Sequence, residues 1–126
     1  MKFKTMMIIK AIVCMAFGIP ILLFPKFLYG MFGIDLSGAG VTFPAQQYGA
    51  SLFGNFLLAW LGRNLEQSSG RKAITWALFI YDAIAFVATL LLALTGTVSP
   101  LIWAIVVLYL VLALGFGYFL LKPTAE

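Results

Sequence analysis

The sequence predicts an all-α integral membrane protein, a four-helix bundle with both termini in the cytoplasm. Three observations predict it. Of 126 residues, 63% are hydrophobic, and mean hydropathy is +1.08. The apolar residues gather into four long runs, each near the length that crosses roughly 30 Å of hydrocarbon at about 1.5 Å per helical residue. The few charges fall almost entirely between those runs.

The first predicted span is about Thr5–Phe24. It follows Met1-Lys2-Phe3-Lys4, which resembles the start of a signal peptide. Lys10 interrupts the apolar stretch, and no small-x-small cleavage site precedes a polar start. The segment therefore reads as an uncleaved span. Pro20 lacks a backbone donor and is expected to kink the helix.

The first connection is Pro25–Pro44. Its opening stretch, Lys26-Phe27-Leu28-Tyr29-Gly30-Met31-Phe32, is too apolar to stand in water. It reads as a short interfacial helix, followed by a turn at Asp35-Leu36-Ser37-Gly38. The other reading of this connection is a lid over an outward-facing cavity. Gly38-Ala39-Gly40 reads as a turn. The remaining spans are about Ala45–Gly62, Ala73–Leu94 and Leu101–Leu121, joined by Arg63–Lys72 and Thr95–Pro100. All four belong to a single transmembrane domain over residues 1–126.

Orientation follows from the basic residues. Lys2, Lys4, Lys10, Arg63, Arg71, Lys72 and Lys122 are seven of the eight, and four spans put them on one side. Only Lys26 lies opposite. The positive-inside rule then places both termini in the cytoplasm. Trp60, Trp76, Trp103 and Tyr118 fall near predicted span ends, where amphipathic rings anchor. The expected location is a cell membrane, the inner membrane of a bacterium.

Composition excludes several classes. The net charge of +4 is explained by basic residues at membrane ends, so nucleic acid is not an expected partner. There is no histidine, and Cys14 is the only cysteine. Neither haem, a transition metal nor an internal disulfide is expected, and no cofactor is implied. No Ser/His/Asp set, carboxylate pair or phosphate loop occurs, so the chain does not read as an enzyme.

Within the spans only Lys10 and Asp82 are charged. Asp82 lies near mid-depth, where a charge costs about 2.5–3.5 kcal/mol and demands a partner. Thr75, Asp82 and Thr89 recur every seven residues and share a helix face. Gln47, Ser51 and Asn55 recur every four residues and form a second polar stripe. Spans two and three are consecutive, so the two stripes are expected to face each other across a hairpin. Lys10 either snorkels to the headgroups or reaches inward toward Asp82. Tyr109 is expected at the same depth. The expected intramembrane polar cluster is therefore Asp82, Ser51, Asn55, Gln47, Thr89, Tyr109 and Lys10. Cys14/Gly18, Ala50/Gly54 and Ala113/Gly117 are small-xxx-small pairs suited to close helix packing.

In length and layout the chain is similar to the small multidrug resistance transporters, but it lacks their glutamate in the first helix. Phe24-Pro25, Met31-Phe32-Gly33-Ile34-Asp35-Leu36, Tyr48-Gly49-Ala50, Ala59-Trp60-Leu61 and Arg63 resemble small four-span, DoxX-like bacterial inner-membrane proteins of unknown function. That resemblance implies a compact helical bundle and no assigned chemistry. Partners beyond the lipid bilayer are other membrane subunits or a second copy of the chain. The expected role is a non-enzymatic accessory or structural subunit. The alternative is a small transporter or channel that couples protons or cations through Asp82, and a quinone-binding protein is a third reading.

Overall fold

The structure, a computed structural model, describes residues 2–122. Among them are five helices: α1 (Phe3–Leu23), α2 (Pro25–Met31), α3 (Ala39–Gly62), α4 (Ser69–Leu94) and α5 (Ile102–Leu121). α1 runs three residues past Pro20, and Phe24 N–H closes its last turn on the Pro20 carbonyl at 2.7 Å. Pro25 then starts α2 from the N1 position, where its fixed φ suits a helix and no donor is lost. α4 begins at the Ser68 cap, whose hydroxyl accepts from Arg71 N–H at 3.2 Å. It stops at Leu94, and Gly96 just beyond the Thr95 cap has a φ of 70°, the left-handed stop that glycine adopts without strain.

Three helices, α1, α4 and α5, are long and apolar enough to cross a membrane. The expected count of four spans is corrected to three. α3 has the length, at 24 residues, but not the apolarity. Gln46, Gln47, Tyr48, Ser51 and Asn55 interrupt its apolar residues. Placing both termini in the cytoplasm rested on an even number of crossings, so that assignment falls with the count.

The helices pair as α1 with α3 and α4 with α5. Glycine explains the first pairing. A Cβ on Gly49 would stand 2.9 Å from both Ile21 Cγ2 and Leu22 Cγ, and one on Gly18 would stand 3.3 Å from Leu52 Cβ. The two backbones approach as closely as they do because neither position carries a side chain. Gly117 likewise admits the Phe79 ring between α5 and α4. α1 also touches α5, while α3 and α4 scarcely meet despite being consecutive.

The end of the bundle nearest the termini is solid. Phe3, Met6 and Met7 of α1 pack there with Ala59, Leu78, Leu112, Phe116 and Phe119. Phe3 and Phe119 meet edge to face at 5.6 Å, a favoured aromatic geometry. At the other end the two helix pairs are tied by their connections. Ser99 N–H donates to the Phe32 carbonyl at 2.8 Å. Gly33, with φ of 74°, permits that approach: a Cβ there would lie 2.8 Å from Ser99 N.

Candidate functional site

Between the two helix pairs, on the side away from the solid core, lies a cavity of about 490 Å³. That is within the range of small-molecule sites, roughly 300–1,000 Å³. Its walls are apolar: Val13, Phe17 and Ile21 of α1, Leu28 of α2, Leu52 of α3, and Ile102, Ile105 and Leu108 of α5. α4 contributes Ile84, Ala85, Ala88 and Leu92. Ile84 lines the cavity yet is 64% exposed, and Ala88 and Leu92 are exposed as well. The wall is therefore open on the α4 side, where α3 and α4 fail to close together.

One end of the cavity is polar. Lys10, Tyr48, Tyr81 and Tyr109 all line it. Lys10 Nζ donates to Asp82 Oδ1 at 2.6 Å, and the pair is 2% and 0% exposed. The ammonium also sits 4.7 Å from the centroid of the Tyr81 ring, a cation–π contact. Tyr48 and Tyr109 hydroxyls hydrogen-bond to each other. Tyr81 meets Tyr109 edge to face at 6.4 Å. The pairing of Lys10 with Asp82 has a direct physical cause. Each charge alone at that depth is costly, and each neutralises the other. α1 and α4 do not pack backbone to backbone, so the long lysine stem spans the gap. Tyr29 also lines the cavity, and burial pushes its phenol above its ordinary value.

The expected cluster is only partly assembled. Lys10, Asp82 and Tyr109 converge. Thr89 lines the cavity, but its hydroxyl donates to the Ala85 carbonyl of its own helix at 2.7 Å. Thr75 does the same with Arg71. Ser51 and Gln47 are exposed and Asn55 is half-buried, and none of them hydrogen-bonds Asp82. The α3 and α4 stripes do not face each other, because the glycine-lined contact with α1 holds α3 and the contact with α5 holds α4. Asp82 Oδ2 has no hydrogen-bond partner among the described residues.

Two members of the polar end, Tyr48 and Tyr81, were not in the expected cluster. Each stands beside a polar residue that was, Gln47 and Asp82. A signal existed: tyrosines favour the ends of membrane helices, and Tyr81 lies in the middle of α4.

Comparisons of this chain with family models, with curated proteins and with solved structures give no match. The protein is a small helical protein with three membrane-capable helices, and its cavity is the feature from which a role can be argued.

Proposed function

We propose that this is a non-enzymatic membrane protein that holds a small lipid-soluble molecule in the cavity between its two helix pairs. The observation that carries the reading is the cavity itself: about 490 Å³, apolar-walled, polar at one end, and open to the side through α4. A soluble substrate would meet little along those walls to repay its lost hydration. A molecule dissolved in a bilayer loses no water on moving sideways into the site. Transport through Asp82 has less support, because the Lys10 ammonium already neutralises its charge through Oδ1.

The test fills the cavity. Ala85→Trp and Ala88→Trp place an indole in the opening. Organic extraction of the purified wild-type protein, followed by mass spectrometry, should return a lipid-soluble compound in near-stoichiometric amount. The tryptophan variants should fold and lose it. If wild type and filled variants return the same lipids in the same amounts, the reading is wrong.

A second reading, as an accessory subunit or self-associating protein, is favoured by α3. Gln47 and Ser51 lie exposed on it, and Gly54 has open space around it. An exposed amide and hydroxyl on one helix face offer hydrogen bonds to a neighbouring helix, at about 0.6 kcal/mol each on average. The two readings are compatible.

A further inference from the structure

With the cavity taken as a binding site for a lipid-soluble molecule, a reading on which this inference rests, the chemistry of its polar end restricts the class of molecule that fits.

Consider first the hydrogen bonds that are left over. An ammonium has three donors. Lys10 uses one on Asp82 Oδ1 and presents its charge to the Tyr81 face. Lys10 is also part of the cavity wall, whereas Asp82 stands behind it. The Tyr48 and Tyr109 hydroxyls bond to each other and both also interact with the Tyr81 hydroxyl; joined in a chain, the three use two of their protons and keep one O–H for an incoming acceptor. The polar end thus offers a lysine N–H and a tyrosine O–H toward the cavity. Both call for an accepting oxygen.

Next consider charge. Lys10 and Asp82 sum to zero. A ligand carboxylate or phosphate would set a second anion around one already neutralised ammonium, in surroundings that screen charge poorly. A ligand ammonium would stand against the Lys10 ammonium. Either charged head lacks an unmatched counter-charge on the cavity wall. A neutral head satisfies the donors without that cost. We infer that the cavity selects a neutral, carbonyl-bearing lipid-soluble molecule, its oxygen held by Lys10 and the hydroxyls of Tyr48, Tyr81 and Tyr109 and its apolar body lying toward Phe17, Leu28 and Ile105.

The experiment uses the full chain in lipid nanodiscs. Three probes of equal chain length carry a diazirine in the tail: a methyl ketone, a fatty acid and an alkylamine. After photolysis, labelled residues are mapped by mass spectrometry. The ketone should label cavity-wall residues about tenfold more than either charged probe, a difference of about 1.4 kcal/mol. Two variants report on the head. Lys10→Met with Asp82→Leu removes the lysine donor and keeps the site neutral. Tyr48→Phe with Tyr81→Phe and Tyr109→Phe removes the hydroxyl donors and keeps all three rings. Each should reduce ketone labelling of the wall several-fold while the fold persists. If the fatty acid or amine labels the wall as well as the ketone, the neutral-head inference is overturned and the cavity reading stands. If ketone labelling is the same in both variants as in wild type, the assignment of the donors fails. If no probe labels the wall, both the inference and the cavity reading fail.

Discussion

The two ends of the bundle are built on opposite plans. Near the termini, methionine, leucine and phenylalanine side chains from α1, α4 and α5 fill the space between helices, and Ala59 seals the α3 side. At the other end the same helices diverge around a cavity, and short connections hold them together through Ser99 and Phe32. The solid end accounts for much of the close packing that membrane helices rely on, since apolar burial gives little net drive within lipid. The other end keeps a smaller packed cluster around Phe32, Ala93, Ile102 and Val106 and leaves part of the space between the helix pairs open. On the proposed reading, the larger share of stability lies at one end and binding at the other, with the Lys10–Asp82 pair standing between them.

The largest expected effect is at that boundary. Asp82→Asn leaves the Lys10 ammonium buried without its counter-ion and should destabilise the fold by about 3–5 kcal/mol. Lys10→Met with Asp82→Leu removes both charges together and should recover most of that loss. Equilibrium unfolding of the protein in bilayers or mild detergent measures both. An Asp82→Asn variant as stable as wild type would show that the pair does not join the two ends.

Matched truncations set the two ends side by side. Leu78, 1% exposed at the solid end, should cost about 2–5 kcal/mol as Leu78→Ala, through lost contacts and the void left behind. Ile84→Ala removes a similar side chain from the open cavity wall and should cost within about 0.5 kcal/mol. Equal losses at the two sites would erase the distinction between a solid and a hollow end.

The smallest effect on the isolated chain is expected on α3. Gln47→Leu with Ser51→Leu alters an exposed face and should change stability within about 0.5 kcal/mol. The same pair of changes should release a partner subunit or second copy, read by native mass spectrometry from bilayer. Association that survives the double change would remove α3 from the accessory-subunit reading.

The extent to which the sequence could be read differs from helix to helix. α1, α4 and α5 were legible because each is a continuous apolar run of sufficient length, a property that needs no knowledge of neighbours. The short helix after the first span was legible for a similar reason, an apolar stretch bounded by Pro25 and Gly33. α3 was read as a span on length, but its glutamines and asparagine hold it below the apolarity of the others. The two charged residues inside the spans stood out at once, since charge at mid-depth is costly wherever the helix packs.

Which residue answers Asp82 is a different kind of question. A helical stripe records what shares a face, not what the face meets. Sequence adjacency suggested that α3 would meet α4, but Gly18 and Gly49 let α1 and α3 approach more closely than side chains elsewhere allow. That competition among faces is settled only when all five helices are in place. It turned the Gln47/Ser51/Asn55 stripe away from Asp82, gave Asp82 to Lys10, and gathered Tyr48, Tyr81 and Tyr109 at one end of a cavity. The sequence by itself determined an all-helical, strongly apolar protein with one acid and one base inside its apolar runs. Only the tertiary structure decided that the two pair across the bundle and that a cavity opens beside them, because helix formation is local whereas the space left between helices depends on every contact at once.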